Sequence, residues 1–329
     1  MKQFLIDKYN RKINYIRVSV TDRCDLKCIY CIPRDSERHS TRRAILRFEE
    51  IIRIIRCFAN MGVRHVRITG GEPLVRKGIV SLIEQISHIE GIDDLAMTTN
   101  ATLLSIYARD LKDAGLKRVN ISLDTLKPEK FKLISRGGNL EDVLKGINAV
   151  IDAGLNPVNL NSVVIKGLND SELLDLVNFS IKNNTNIRFI ECMPVGHIGS
   201  LSRERFISAK EIKSLIEKYF TLEPAPSFGG GPASYFHIKG EKIKVGFISP
   251  ITQHFCESCN RVRLTAEGIL RLCLGQNAEI DLRDYIRAGI GDETLQEVIA
   301  KAVQNKPQSH QFSIEEGIPI EKPMSMIGG

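Results

Sequence analysis

Short runs of β-branched and other apolar residues alternate with amphipathic stretches over the first two thirds of the chain, between about Tyr15 and Tyr219. In the amphipathic stretches, apolar residues recur at three- and four-residue spacing, as on the buried face of a helix. Strands that alternate with helices in this way are typical of repeated βα units and a parallel sheet. The pattern predicts an α/β fold.

The alternation yields about six βα units. The predicted strands cover residues 15–21, 65–69, 94–99, 118–124, 157–165 and 186–193. The predicted helices cover residues 48–60, 79–89, 103–114, 140–153 and 172–182. Because eight units are needed to close a full barrel, we expect residues 1–222 to form an incomplete (β/α)6 TIM-type barrel. An open doubly wound sheet is the alternative.

Clustered proline and glycine interrupt this pattern at residues 223–232, as a connection between domains would. Short strand-like runs follow at residues 235–238 and 242–247, and a helical segment lies near residues 294–303. We therefore expect a smaller C-terminal domain over residues 223–329.

Composition changes this picture little. The 329 residues are 43% hydrophobic, as in an ordinary globular chain. No apolar run is long enough to cross a bilayer, and the start from Met1 to Asp7 lacks the apolar core of a secretory signal. We therefore expect a cytoplasmic protein without a membrane partner. The formal charge of +7 suits a polyanionic ligand, but 46 basic against 39 acidic residues mostly describe a solvated surface.

Eight cysteines are too few for a disulfide scaffold in a chain of this length, and clustered thiols in a reducing compartment bind metal or perform redox chemistry. Cys24, Cys28 and Cys31 directly follow the first predicted strand, where barrel enzymes have their active sites. Three thiolates on one compact loop can hold three irons of a cubic cluster and leave the fourth open. A zinc site with His39 as a fourth ligand is the alternative.

A second group consists of Cys256, Cys259 and Cys273. It again supplies three thiols, which predicts a second four-iron cluster whose open iron binds a substrate heteroatom. Zinc with His254 as a further ligand is the alternative there. We assign Cys57 and Cys192 to packing, because free cysteine is commonly a small buried hydrophobe.

The first cysteine group resembles the motif of the radical S-adenosylmethionine superfamily, Cys-x3-Cys-x2-Cys with an aromatic residue, Tyr30, before the last cysteine. The segment at residues 69–73 resembles the glycine-rich segment of that superfamily, which contacts the methionine part of the cofactor. Over nearly its whole length the chain resembles the GTP 3′,8-cyclase family of molybdenum cofactor biosynthesis. Residues 21–24, 120–124 and 260–263, the second cysteine group and the Gly-Gly end also carry this similarity.

The resemblance implies an enzyme with two [4Fe–4S] clusters and S-adenosylmethionine. In that family, an electron from the N-terminal cluster cleaves S-adenosylmethionine to a 5′-deoxyadenosyl radical, which removes the 3′ hydrogen of GTP. The ribose radical attacks C8 of guanine, and the product is (8S)-3′,8-cyclo-7,8-dihydroguanosine 5′-triphosphate, in the first step of molybdopterin biosynthesis. The implied partners are GTP, an external electron donor, the downstream cyclic pyranopterin monophosphate synthase and a second copy in a homodimer.

Two other functions compete with this interpretation. One is a radical S-adenosylmethionine maturase that has an auxiliary cluster and acts on a peptide or a cofactor; the arginines after Cys259 argue against it. The other is a zinc-containing nucleic-acid-binding protein that uses the positive charge. We expect no nucleic-acid partner.

Arginines suit a triphosphate, because a guanidinium stays charged and can fork onto phosphate oxygens. Polar and apolar residues alternate at residues 15–21, which predicts that Arg17 points into the barrel lumen, and the same argument places Arg67 with Thr69 on one face. The resemblance implies GTP contacts at Arg17, Arg67, Thr98, Asn159, Arg261 and Arg263, of which we assign Arg17, Arg261 and Arg263 to catalysis. It implies S-adenosylmethionine contacts at Tyr30, Gly71, Ser122 and Met193.

The chain departs from the family at Asn159, where many relatives have a lysine that contacts the nucleotide. A neutral amide attracts phosphate less, so either another cation such as Arg188 compensates or the nucleotide affinity is lower. The segment at residues 35–47 is also shorter than is common in bacterial relatives. In the family the Gly-Gly end reaches into the active site. We expect Arg64 and Arg118 to be surface charges.

Overall fold

The computed structural model describes residues 4–32, 39–194, 202–226, 230–312 and 324–327. The strands in chain order are β1 Tyr15–Ser19, β2 His65–Thr69, β3 Asp94–Thr99, β4 Arg118–Ser122, β5 Val158–Val164, β6 Asn186–Glu191, β7 Leu222–Ala225, β8 Ser234–Ile238, β9 Lys244–Ile248, β10 Arg261–Leu264, β11 Ile269–Arg271 and β12 Glu279–Asp281. The helices are α1 Phe48–Asn60, α2 Ile79–Ser87, α3 Leu104–Asp113, α4 Pro128–Ser135, α5 Leu140–Asp152, α6 Leu173–Lys182, α7 Ser202–Arg205, α8 Ala209–Glu217, α9 Leu282–Arg287 and α10 Asp292–Gln304.

All twelve described strands belong to one sheet, in the order β12-β11-β10-β1-β2-β3-β4-β5-β6-β9-β8-β7. Strands β1 to β6 are neighbours in chain order and pair in parallel. The order is linear, with β12 and β7 at its two ends, so the sheet is not closed. The predicted α/β fold with six βα units and an incomplete barrel is confirmed.

Strands from the C-terminal third extend both edges of this barrel. Strand β10 pairs in parallel with β1, and β9 pairs in parallel with β6. Antiparallel strands then follow outside them, β11 and β12 on one side and β8 and β7 on the other. The sheet is therefore continuous across residue 222, and the division of the chain into two domains there stays a prediction.

The stretch at residues 223–232 is not only a connection. Its first three residues belong to β7, which pairs with β8 at the edge of the sheet. Residues 227–229 lie outside the described residues. Proline at position 224 is compatible with this strand because an edge strand leaves one side of its backbone unpaired.

The helices cover the sheet with apolar faces. On α1, Ile51, Ile55 and Phe58 have no exposed surface, at spacings of four and three residues. Burying a side chain of this size contributes about 2 kcal/mol each to stability. The periodicity that predicted the helix is thus the face that packs on the barrel. Within the described residues, no helix is both long enough and apolar enough to span a bilayer.

Some predicted strands are shorter at their C-terminal ends than their apolar patterns suggest. Strand β1 ends at Ser19 instead of residue 21, and β4 ends at Ser122 instead of residue 124. The residues beyond them hydrogen-bond outside the ladder: the Thr21 hydroxyl accepts from the Arg23 N–H at 3.1 Å, and the Asp124 carboxylate accepts from Tyr30 at 2.7 Å. Side-chain hydrogen bonds of this kind compete with strand pairing.

The expectation that Arg118 is a surface charge is wrong. It is 6% exposed and opens β4, and its Nε donates to Asp94 Oδ1, at the start of β3, at 2.9 Å. His65, which opens β2, reaches the same carboxylate at 3.2 Å. This ion-paired cluster lies at the N-terminal end of the barrel, opposite the end that carries the cysteine loop. Arg64 is partly exposed and donates to the Gly91 carbonyl.

Candidate active site

A cavity of about 290 Å³ lies in the lumen of the open barrel and reaches the C-terminal ends of its strands. The predicted site residues that line it are Arg17, Tyr30, Cys31, Arg67, Thr98, Ser122, Met193, Cys256, Cys259, Arg261, Arg263 and Cys273. The predicted site residues that do not line it are Cys24, Cys28, Gly71 and Asn159. The structure therefore brings side chains from both ends of the sequence to one chamber.

Strand register aligns the arginines. Arg17 on β1 pairs with Arg67 on β2 and with Arg263 on β10, so three guanidinium-bearing residues lie side by side across three strands. Neighbouring strands are about 4.8 Å apart. Burial and the nearby Arg263 hold the pKa of Arg17 well below its ordinary value, and burial with Arg261 lowers the pKa of Arg263 to about 10. The row is a set of mutually repelling cations that an anionic ligand would stabilise.

The Tyr15 ring lies near two cations of the lumen, Arg67 and Arg261. It is 5.5 Å from the Arg67 guanidinium and 5.9 Å from that of Arg261, within reach of cation–π attraction. Burial alone would raise the Tyr15 pKa, but the surrounding arginines outweigh it and lower the pKa. Tyr15 was not among the predicted site residues, although the alternation that predicts Arg17 in the lumen also places Tyr15 on that face.

Several polar atoms face this region without a partner in the described part of the chain. They are the Nε atoms of Arg67, Arg188 and Arg261, the Thr98 hydroxyl and the Asn161 side-chain oxygen. A buried polar atom without a hydrogen bond costs about 1–3 kcal/mol. A ligand with phosphate, hydroxyl or amide groups would satisfy these atoms.

Asn159 and Arg188 differ in position. Asn159 is fully buried in the sheet, where its Oδ1 accepts from Asn186 at 3.2 Å, and it does not line the cavity. Arg188 lines the cavity, donates to Asn120 Oδ1 and to the Tyr235 hydroxyl, and pairs in register with Asn161. The cation on this side of the lumen is therefore Arg188, on the strand next to Asn159.

The first cysteine loop follows β1 and is tied to the rest of the sheet. Within it, the Cys31 N–H donates to the Cys28 carbonyl at 2.9 Å. The Leu26 N–H and the Asn100 amide donate to Cys24 Sγ, at 3.4 and 3.8 Å. Burial raises the pKa of Cys28, and the neighbouring Cys31 adds to this shift. Iron or another cation at these sulfurs would reverse it, because a coordinating metal favours the thiolate.

Gly71 acts on this loop and not on the cavity wall. Its N–H donates to the Thr21 carbonyl at 2.7 Å. A Cβ at position 71 would lie 2.2 Å from the Arg23 carbonyl oxygen and 3.0 Å from that of Asp22. Only glycine permits this approach of the second strand's turn to the cysteine loop.

The second cysteine loop precedes β10, and its third thiol follows β11. The Cys259 N–H donates to the Cys256 carbonyl at 3.2 Å. Burial raises the pKa of Cys259, but Lys306 and Arg261 outweigh it, so that the pKa is lowered overall. Lys306 was not among the predicted site residues, because it is an isolated position two residues after the end of α10 and belongs to no motif.

The three sulfurs of each group match the donors that iron–sulfur clusters take. Within the described residues, no three His, Cys, Asp or Glu side chains converge closely enough to hold one metal ion as they stand. His39 and His254, the ligands of the zinc alternatives, are both exposed, and His254 Nδ1 lies 3.0 Å from His310 Nε2.

The other cysteines are buried as predicted. Cys57 is 1% exposed among the apolar residues of α1. Cys192 is also 1% exposed and packs on Ile165, and it lines the cavity as well. The Gly-Gly end and residues 35–38 of the shortened segment lie outside the described residues.

Comparison with known proteins identifies the family. The model of the Radical SAM superfamily matches residues 18–180, and the model of Molybdenum Cofactor Synthesis C matches residues 185–312. A GTP 3′,8-cyclase of Hydrogenovibrio crunogenus is 48% identical over 313 residues, which are 94% of this chain and 95% of that protein. One of Petrotoga mobilis is 46% identical over 325 residues, 99% of this chain and 100% of that protein.

Among solved structures, SuiB of Streptococcus suis bound to S-adenosylmethionine superposes with a TM-score of 0.64 at 16% identity, over 94% of this chain and 79% of that one. This likeness shows the shared fold. The radical SAM domain indicates that the chain uses S-adenosylmethionine and an iron–sulfur cluster. The chain is 46–48% identical to these cyclases over nearly its whole length, it matches both family models, and its lumen is lined by thiols and arginines. It therefore belongs to the GTP 3′,8-cyclase family of radical S-adenosylmethionine enzymes.

Proposed function

We propose that the chain converts GTP to (8S)-3′,8-cyclo-7,8-dihydroguanosine 5′-triphosphate, as the first step of molybdopterin biosynthesis. One observation carries the proposal: among the described residues, one cavity is lined by thiols of both cysteine groups and by six arginines, Arg17, Arg67, Arg188, Arg261, Arg263 and Arg271. A triphosphate needs the cations, and a radical reaction needs the enclosed volume next to the cluster ligands.

We assign one [4Fe–4S] cluster to Cys24, Cys28 and Cys31 and a second to Cys256, Cys259 and Cys273. When bound, the N-terminal cluster supplies the electron that cleaves S-adenosylmethionine to the radical that removes the 3′ hydrogen of GTP. The chain's own part is placement and shielding.

S-adenosylmethionine is assigned to Tyr30, Gly71, Ser122 and Met193. Tyr30, Ser122 and Met193 line the same cavity as Cys31, and Tyr30 is fixed because its hydroxyl donates to Asp124 at 2.7 Å. Asp124 also accepts from the Val163 N–H at 2.8 Å, which ties the cysteine loop to β5. Gly71 holds the loop itself through the backbone contact with Arg23.

GTP is assigned to Arg17, Arg67, Thr98, Arg261 and Arg263. Within the described residues, Arg67 Nε, Arg261 Nε and the Thr98 hydroxyl are buried without a hydrogen bond, and the pKa values of Arg17, Arg67 and Arg263 are lowered; both features favour an anionic occupant. We leave Asn159 out of the direct contacts, because its side chain bonds within the sheet, and we add Arg188. Arg17, Arg261 and Arg263 orient the nucleotide for reaction.

Apolar side chains complete the chamber. Val163, Ile190, Phe255 and Phe312 line it between the polar groups. A primary radical takes hydrogen from almost any nearby group, so a wall that excludes water and holds one C–H bond in line protects the reaction.

An external reductant, the downstream synthase and a homodimer remain predictions of the resemblance.

An anaerobic assay with S-adenosylmethionine, GTP and a strong reductant tests the proposal. We expect 5′-deoxyadenosine and the cyclic nucleotide to form together and only when GTP is present. Cys24→Ala should abolish 5′-deoxyadenosine release, whereas Cys57→Ala, in the core outside the cavity, should retain it. Release that does not depend on GTP would refute the substrate assignment. An iron content of about four per chain, in place of about eight for two clusters, would refute the second cluster.

A further inference from the structure

A buried ammonium lies between the two arms of the second cysteine group. Lys306 follows α10 and is only 2% exposed. An ammonium removed from water costs several kcal/mol unless hydrogen bonds and opposite charge compensate it. The groups that contact Lys306 therefore indicate what stabilises its buried charge.

Two of its hydrogen bonds go to backbone carbonyls on different arms. Lys306 Nζ donates to the carbonyl of Arg261 at 3.0 Å and to that of Leu272. Arg261 is two residues beyond Cys259, and Leu272 directly precedes Cys273. One side chain therefore joins the arm that carries Cys256 and Cys259 to the arm that carries Cys273.

A third interaction is with the second cysteine group itself. Lys306, Cys259 and Cys273 line the same cavity, and while burial raises the pKa of the Cys259 thiol, the charge of Lys306 lowers it. In the described part of the chain, no ion pair joins Lys306 to a carboxylate. The charge of Lys306 lies instead between the two arms that carry the thiols of Cys259 and Cys273.

A second cation at the same loop shows the contrast. Arg11 donates to the Cys256 carbonyl and the Gln308 carbonyl, both at 2.8 Å, and to the Pro307 carbonyl at 2.6 Å. Its charge is already paired with Asp7 at 2.6 Å. Arg11 therefore fixes the loop backbone without contributing a free charge, whereas the charge of Lys306 is available to the thiolates.

We propose that Lys306 is a positioning residue of the second cluster, which holds the two cysteine arms together and compensates the negative charge of their thiolates. The inference rests on the proposed second cluster. Hydrogen bonds to the sulfurs and local charge are among the factors that set a cluster's reduction potential. A cation favours the more negative, reduced state, so its removal lowers the potential and weakens retention of the cluster.

The test uses the full chain with Cys24, Cys28 and Cys31 all changed to alanine, so that only the second group can hold iron. In this parent we introduce Lys306→Met, which keeps the side-chain length but removes the charge and its donors, and Lys306→Arg, which keeps the charge. Lys301→Met, at an exposed position on α10, is the matched control. Each protein is reconstituted anaerobically, and iron content and reduction potential are measured, the latter by electron paramagnetic resonance.

We expect the parent and Lys301→Met to hold about four irons per chain. Lys306→Met should hold less iron and have a lower potential, and Lys306→Arg should restore both in large part. The chain that has all its cysteines and carries Lys306→Met should keep about four irons in its N-terminal cluster. This iron content shows that the protein is folded.

The outcomes separate the two proposals. A parent without iron overturns the second cluster and this inference with it. A parent with about four irons and a Lys306→Met variant of equal iron content and equal or higher potential overturns the role of Lys306 alone. Loss of iron from the N-terminal cluster in the chain with all its cysteines would show a folding defect and would also overturn the specific role.

Discussion

At the scale of single residues, the site depends on contacts in which one methyl group or one charge changes the outcome. Gly71 approaches the Arg23 carbonyl so closely that a Cβ would lie 2.2 Å from its oxygen. At Arg261 an interaction is missing instead: its buried Nε has no hydrogen-bond partner within the described residues, and a ligand would supply one. The first residue is tested by adding atoms and the second by removing them.

We expect Gly71→Ala to displace the first cysteine loop, because the clash is with backbone that no side-chain rotation relieves. Overpacking of this kind typically costs 1–3 kcal/mol. Iron content should fall from about eight towards about four per chain, with loss of 5′-deoxyadenosine release. Gly291→Ala is the control, since a Cβ there meets nothing within 4 Å and its φ is an ordinary −69°. Full iron content in Gly71→Ala would contradict the role of the close contact.

We expect Arg261→Ala to weaken GTP binding while the N-terminal cluster stays intact. A hydrogen bond to a charged group contributes about 1.5–3 kcal/mol, so the Kd for GTP should rise about 10- to 100-fold. Binding is measured by calorimetry under nitrogen, and the spectrum of the N-terminal cluster is recorded on the same sample. Arg109→Ala, an exposed arginine on α3, should leave the affinity unchanged. An unchanged Kd for Arg261→Ala would remove it from the site.

At the scale of elements, the starts of β2, β3 and β4 are joined by the ion-paired group of His65, Asp94 and Arg118. Burial alone would raise the Asp94 pKa, but hydrogen bonds and charge from His65 and Arg118 outweigh it and hold the pKa well below its ordinary value. A carboxylate of lowered pKa contributes stability above its unfolded pKa and loses this contribution as the pH falls towards the folded value.

We therefore expect Asp94→Asn to lower the free energy of unfolding by about 3 kcal/mol at pH 7, because it removes the carboxylate charge that pairs with the buried Arg118 guanidinium. The difference from the unmodified chain should shrink as the pH falls below about 4, where the unfolded carboxyl is protonated. Urea unfolding at pH 7, 5 and 3.5 measures it. Asp110→Asn, at an exposed position on α3, should show no such trend. A difference that is constant with pH would contradict the assignment.

At the scale of the whole molecule, the C-terminal third completes the barrel's sheet. It supplies β10 beside β1 and β9 beside β6, so neither edge of the six-stranded barrel is left open. An exposed edge strand is a template for aggregation. The arginine row depends on the same arrangement, because Arg263 reaches Arg17 only through the pairing of β10 with β1.

We expect a fragment of residues 1–222 to aggregate or to lack a cooperative unfolding transition. It would expose the backbone of β1 and β6 and lose the packing of α1 against α9 and α10, including the Arg287–Glu50 ion pair at 2.9 Å. Gel filtration and thermal melting followed by circular dichroism would measure this, with the full chain as the control. A monomeric fragment that melts cooperatively would show that residues 1–222 are an independent domain.

Much of the site could be read from local pattern. The six strands, the two groups of three cysteines and the lumen-facing side of β1 follow from periodicities and spacings of a few residues, which each segment carries by itself. The resemblance added the arginines on β2 and β10. Lys306 was missed because it is a single position without a pattern. Tyr15 was missed although the alternation in β1 places it on the same face as Arg17, and Arg188, named from the sequence only as a substitute for the family's lysine, lines the cavity.

The sequence by itself determined the six parallel strands and the five helices predicted between them, and it predicts two groups of thiols, because hydrophobic period and ligand spacing are local properties. Only the tertiary structure decided that β10 lies beside β1, that Arg118 is buried against Asp94 and that Lys306 joins two cysteine arms. The residues that form these contacts are separated along the chain by between 24 and 246 positions. The energies of these contacts depend on burial and on partners that no local window of sequence contains.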